Sequence, residues 1–214
     1  SGEKSLFSAQ SACEEGREIF STLRSLKCYN THMPKKLSSE PKANSKKQTP
    51  KRLVLLDAHA IIHRAYHALP DFATSRGEPT GALYGLVTMV LRIASELKPD
   101  YIVACYDLPQ KTFRHEAYEA YKGTRSKTDD RLVSQLEQSR QVVEALGIPI
   151  YDCPGFEADD MLGTIVEQLT KGKNKQKDLD IIIASGDMDT MQLIVDDTVQ
   201  VFTLKKGITE TVLF

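Results

Sequence analysis

Carboxylates close three apolar runs of this chain: Asp57 after LVLL, Asp107 after YIVACY, and Asp187 with Asp189 after IIIAS. A fourth group, Glu157-Ala158-Asp159-Asp160, opens a helical pattern. Short, continuously apolar, β-branched runs are typical of strands buried on both faces of a parallel sheet. An open α/β sheet binds its ligands beyond the carboxyl ends of such strands. The pattern therefore gathers up to six carboxylates, Asp57, Asp107, Glu157, Asp159, Asp160 and Asp187, at one edge, with Asp189 close by. So many negative charges repel and raise one another's pKa values unless something offsets them. A divalent cation does so, and an all-oxygen donor set suits Mg²⁺ or Mn²⁺. Carboxylate-held ions of that kind point to phosphodiester chemistry.

Each group taken alone has a plainer reading. Asp57 and Asp107 serve equally well as helix caps, and acids at a helix start are favoured by the macrodipole. Asp187 and Asp189 suit a turn around Gly186. One metal site accounts for all of them together.

The elements that must position these residues follow from apolar spacing. Strands are expected at Leu53–Asp57, Tyr101–Tyr106, Ile148–Tyr151, Asp180–Ala184 and Val199–Thr203. Helices are expected over AHAIIHRAYHAL, over GALYGLVTMVLRIASEL up to the Lys98-Pro99 stop, and from Asp129 or Asp130 to Leu146 before Gly147. Glu157–Leu169 reads as a further helix and Met188–Ile194 as a short one. Strands alternating with helices predict a three-layer α/β fold on a parallel sheet.

Composition sets loose bounds. A chain of 214 residues, 41% hydrophobic and 27% charged, can bury one core and carry a tail. The net charge of -1 means that a nucleic-acid partner would have to meet local basic patches. Residues 1–51 differ from the rest: the stretch from Met33 to Arg52 is rich in Lys, Ser and Pro and is expected to be basic and disordered. Met33 is a candidate natural start, which would make residues 1–32 an unrelated leader. Cys13, Cys28, Cys105 and Cys153 form no CxxC pair and read as free thiols of a reducing, cytoplasmic setting. No apolar run is long enough to span a bilayer, and the start carries no signal-peptide pattern.

One segment interrupts the alternation. Pro109–Lys127 carries Lys111, Arg114, Lys122, Arg125 and Lys127, with Phe113, Tyr118 and Tyr121 between them. Such cations can neutralise phosphates, and such aromatics can stack on unpaired bases. By itself the stretch reads first as a solvated amphipathic helix; its place directly after Asp107 favours the nucleic-acid reading.

The ordered motifs RAYHALP, GEPTGALYG, D-x-x-x-K-T-F-R, Y-K-x-x-R, G-x-E-A-D-D and S-G-D-x-D resemble the N-terminal 5′→3′ exonuclease domain of bacterial DNA polymerases of type I, in the flap-endonuclease family of PIN-like nucleases. The resemblance covers residues 52–214. It implies a PIN-like 5′ nuclease fold with a helical arch, and a metal-dependent nuclease acting on DNA at free 5′ ends and flaps in replication and repair. By the same resemblance, Asp57, Asp107, Glu157, Asp159, Asp160, Asp187 and Asp189 match acidic metal ligands. Lys111 and Arg114 match catalytic basic residues at the base of the arch, and Tyr121, Lys122 and Arg125 belong to the same DNA-binding region. The implied chemistry is two-ion hydrolysis with Mg²⁺, or Mn²⁺ in its place, the ions ~3.5–4 Å apart.

Departures from the family pattern accompany the matches. Ala58 stands where the family usually has Gly, followed by His59, and His63 stands where it often has Tyr. His59 and His63 could share a helix face as a metal pair, although hydrogen-bonded or surface histidines are far commoner. The chain ends at Phe214, before the family's helix–three-turn–helix clamp, so the expectation is the catalytic part of a nuclease domain, monomeric, with a polymerase region following in a longer protein. Two alternatives remain open: a non-catalytic DNA-binding fragment, and a PIN-type ribonuclease. The KTFR segment argues against the second.

Overall fold

Alternation of inward and outward side chains along the strands sorts the core into two layers around a sheet. The computed structural model describes residues 49–123, 127–171, 175–176, 178–206 and 210–214. The expectations for residues 1–48, and the role assigned to Arg125, lie outside the described residues. The fold below is that of the unit Lys51–Phe214.

Strands β1 (Lys51–Asp57), β2 (Tyr101–Cys105), β3 (Ile150–Tyr151), β4 (Leu179–Ser185), β5 (Val199–Lys206) and β6 (Glu210–Leu213) form one sheet in the order β3-β2-β1-β4-β5-β6. All pairings are parallel except the last, in which β6 runs antiparallel to β5. The chain leaves β1 towards β2 and β3, then returns to the other side of β1 for β4. That reversal leaves a crevice at the carboxyl ends of β1 and β4, where such sheets bind ligands.

On one face Val54, Leu56, Ala104, Tyr106, Ile182, Ala184, Phe202 and Leu204 join a cluster built from helices α1 (Ala58–Ala68), α2 (Gly81–Glu96) and α4 (Asp130–Ala145). Helix α1 buries Ala58, Ile61, Ile62 and Ala65, a stripe with helical spacing. At Gly85 an added Cβ would lie 2.3 Å from that of Ala65, so α1 and α2 approach too closely for any side chain there. Gln135 on α4 is buried, and its Oε1 accepts from the Ala82 amide at 2.8 Å, capping α2, which lacks a side-chain cap of its own. Leu53, Leu55, Val103, Ile181, Ile183 and Val201 alternate with the first set and are also buried. Helix α5 (Ala158–Thr170) packs on β1 and β2 with Leu162, Ile165, Val166 and Leu169 buried.

The three-layer parallel reading agrees with this architecture, with three differences. Strand β6 was not expected: its four residues form a half-exposed edge with too little apolar pattern to declare a strand. The region of the expected arch holds one five-residue helix, α3 (Phe113–Ala117), followed by turns through Gly123. The expected short helix after β4 is a 3-10 helix, Met188–Leu193. Among the described residues no helix is long and apolar enough to cross a membrane.

Candidate active site

Asp57 ends β1 and caps α1, so one residue closes a strand and starts a helix. Its Oδ1 accepts from the Ala60 amide at 3.1 Å and its Oδ2 from the Ser185 hydroxyl at 2.7 Å. The side chain is buried, the residue being only 4% exposed. Burial, opposed in part by those two hydrogen bonds and reinforced by repulsion from Asp159 and Asp107, pushes its carboxyl up to about 6. Ser185 Oγ also accepts from the Asp187 amide at 2.9 Å, so a single hydroxyl ties the acidic end of β1 to that of β4. Gly186 lets these ends meet: a Cβ there would sit 2.7 Å from the Ala60 carbonyl oxygen. Arg64 closes the same junction, donating to the Gly186 carbonyl at 3.1 Å.

Asp107 lies two residues beyond β2. Its Oδ1 accepts from the Ala158 amide at 2.6 Å, at the start of α5, while its own amide donates to His59 Nδ1 at 3.2 Å. Glu157 is the N-cap of α5 and forms a reciprocal capping box with Asp160, whose Oδ2 accepts from the Glu157 amide at 2.9 Å. Asp159, between them, points into the shared field. Its own burial, then repulsion from Asp187, Asp107, Glu157 and Asp160, raises its carboxyl above the usual range.

The basic segment folds down onto this edge. The Phe113 amide donates to the Gly155 carbonyl at 3.0 Å, and the Phe113 and Phe156 rings lie 5.6 Å apart, which anchors α3 beside the start of α5. Arg114 consequently reaches Asp160 with a two-pronged contact, Nη1 to Oδ2 at 2.6 Å and Nη2 to Oδ1 at 2.7 Å. Lys122 donates to Glu157 Oε1 at 2.8 Å and the Tyr121 hydroxyl to Oε2 at 3.1 Å. Partial burial opposes ionisation of Asp160, yet the hydrogen bonds from Arg114 and from the Glu157 amide hold its carboxyl below the usual range. Lys111 is exposed to solvent.

The expected acidic residues thus fall into two sets. Glu157 and Asp160 have counter-ions from the segment after Asp107. Asp57, Asp107, Asp159 and Asp187 form an electrostatically coupled set to which no salt bridge is assigned among the described residues. Asp189 is exposed, and its amide donates to Asp187 Oδ1 at 3.0 Å. Among the described residues no group of three or more His, Cys, Asp or Glu side chains stands at metal-ligand spacing, and His59 Nδ1 accepts from the Asp107 amide. The donor chemistry nevertheless fits a divalent cation: the set is all oxygen, and Asp57 and Asp159, raised first by burial, also repel and are repelled by the neighbouring carboxylates.

Three partners of the site were not anticipated from sequence: Ser185, Arg64 and the Ala158 amide. A hydroxyl at the fully buried end of an apolar strand, as in ASGD, is a usable sequence signal for the first. Arg64 opens the RAYHALP motif, although its contact with the Gly186 carbonyl could not be read from it; the Ala158 amide is a backbone group and has no sequence signal.

A family model described as 5′-3′ exonuclease, N-terminal resolvase-like domain, matches residues 52–213. The DNA polymerase I of Chloroflexus aurantiacus is 41% identical over 146 residues, 67% of this chain and 15% of that protein. That of Mycobacterium bovis is 35% identical over 179 residues, 83% of this chain and 19% of that protein. The chain spans less than a fifth of the length of these relatives. A bacteriophage T5 protein co-crystallised with metal ions superposes with a TM-score of 0.58 at 19% identity, over 75% of this chain and 57% of that one. The T5 flap endonuclease in complex with DNA and metal ions gives 0.57 at 19% identity over the same shares, a likeness of fold. Through the N-terminal resolvase-like domain that residues 52–213 form, this chain belongs to the 5′-3′ exonuclease family.

Proposed function

We propose that this chain carries a metal-dependent 5′ nuclease site that hydrolyses phosphodiester bonds of DNA at 5′ ends and 5′ flaps, with two Mg²⁺ ions for which Mn²⁺ substitutes. One observation supports it above the others: carboxylates from the ends of β1, β2 and β4 and the start of α5 share one field at the sheet's carboxyl edge, next to Arg114 and Lys122. Asp57, Asp107, Asp159 and Asp187 would hold the first ion, and Glu157 and Asp160, with Asp189 at the rim, would contribute to a second. Ions held there would supply an activated water and a charge to offset the leaving oxygen.

The chain's own groups do the rest. Ser185 and the Ala60 amide hold Asp57 in one orientation, and the Ala158 amide holds Asp107. Arg114 can transfer its planar fork from Asp160 to a phosphate, which presents the same pair of oxygens. Lys122 is placed to do likewise as a point charge, and exposed Lys111 adds to the phosphate path. Exposed Phe113 and Tyr118, with Tyr121, offer stacking faces to unpaired bases. In a longer protein a polymerase region follows, the setting is cytoplasmic, and the nuclease acts as a monomer.

The test is gel-resolved cleavage of a 5′-labelled flap DNA with Mg²⁺, with Mn²⁺ and with chelator, the Asp57→Asn variant beside the parent. Metal-dependent cutting that the variant lacks is the expected result. A parent that binds the flap and cuts nothing in either metal refutes the assignment.

A further inference from the structure

We propose that His59 is a positioning residue for Asp107, an inference that rests on the nuclease reading above. His59 is the second residue of α1, two positions after Asp57. Its Nδ1 lies 3.2 Å from the Asp107 amide, and a backbone N–H can only donate. The ring is therefore the neutral tautomer, with Nδ1 as acceptor and the proton on Nε2. The same ring stands edge-on to Tyr106, with centroids 5.5 Å apart.

Tyr106 is itself held from the far side. Its hydroxyl lies 3.0 Å from Ser139 Oγ, and the Arg140 guanidinium sits 5.0 Å over its ring while pairing with Asp152. Tyr106 is thus fixed by α4 and by the loop after β3, and Asp107 directly follows it in the chain. Asp107 leaves the sheet with no strand partner for its amide, because pairing of β1 with β2 ends at Asp57 and Cys105. His59 supplies that partner from α1, and the Ala158 amide fixes Oδ1 at 2.6 Å from α5. Two contacts, one on the main chain and one on the carboxylate, define where Asp107 points. The sequence pattern offered His59 as a departure from the family and as one half of a metal pair with His63; this contact gives it a positioning role instead.

Groups that orient a metal ligand change metal affinity about 10–100-fold when removed, and a main-chain contact belongs at the low end of that range. Asparagine places an oxygen near the position of Nδ1, so His59→Asn keeps an acceptor while losing the ring, and His59→Ala loses both. In the full chain, calorimetric titration with Mn²⁺ should show binding weakened ~10-fold in His59→Ala and largely restored in His59→Asn. In the metal-free protein, the Asp107 amide should exchange with solvent on the order of 5- to 10-fold faster in His59→Ala than in the parent or in His59→Asn. Equal loss in both variants would assign the effect to ring packing on Tyr106 and overturn the proposal. An Asp107 amide that exchanges no faster in His59→Ala would overturn it as well. A parent with a protected Asp107 amide and no Mn²⁺ affinity would leave the positioning contact standing and refute the nuclease reading.

Discussion

Asp57→Asn should make the metal-free protein more stable while abolishing metal binding. In the folded chain the Asp57 carboxyl is pushed up from 3.8 to about 6, chiefly by burial. At roughly 1.4 kcal/mol per pH unit, holding it ionised at pH 7 costs about 3 kcal/mol that the unfolded chain does not bear. Asparagine removes that cost, caps α1 as well as aspartate does, and keeps one acceptor for Ser185 or Ala60. Its amide donors are less well matched to this pocket, which returns about 1 kcal/mol. The net gain expected is about 2 kcal/mol, or roughly 4–8 °C in Tm for a unit of this size. The sign with pH follows from the raised folded value: the destabilisation is fully present above about 6 and fades as pH falls towards 3.8, below which Asp57 is protonated in both states. Urea titrations of parent and variant in chelator, at pH 7.5 and at pH 4.5, supply the check. The variant should lead clearly at the higher pH and by little at the lower one. Added Mn²⁺ should then stabilise the parent and leave the variant unchanged. A variant less stable than the parent at pH 7.5, or equally favoured at both pH values, would refute the account of Asp57 as a charge held against burial.

Other outcomes follow from the same geometry. Arg114→Gln removes the cation that occupies Asp160, so Mn²⁺ binding without DNA should tighten roughly fivefold, the order of one exposed ion pair, while flap cleavage falls; calorimetry and gel assay read the two effects separately. Ser185→Ala leaves a buried Asp57 oxygen without its donor. It should cost about 1–3 kcal/mol in urea unfolding and move the pH midpoint for Mn²⁺ binding upwards, because that hydrogen bond lowers the Asp57 carboxyl. Gly85→Ala forces a methyl into the 2.3 Å gap to Ala65 and should destabilise by about 1–3 kcal/mol, as a drop in Tm with Mn²⁺ affinity retained in the folded fraction.

Much of this protein is legible residue by residue. Leu53–Asp57 and Ile181–Ala184 announce themselves because strands buried on both faces must be continuously apolar. The acids that end them announce a site only together, since each alone also suits a helix cap or a turn. Strand β6 is the counterexample: Glu210–Leu213 is a strand because β5 offers it an edge, and nothing within four residues says so.

Within the site the division is sharper. The types and chain positions of Asp57, Asp107, Glu157, Asp159, Asp160 and Asp187 are set by the sequence. Which of them carry a counter-ion is not. Arg114 meets Asp160 across 46 residues and Lys122 meets Glu157 across 35, because Phe113 docks beside Phe156. Ser185 reaches Asp57 across 128 residues, because the sheet places β4 beside β1. Local pattern dictates helix, strand and burial, since those depend on spacing along the chain. Pairing, orientation and pKa depend on distance through space, which strand order and loop docking decide.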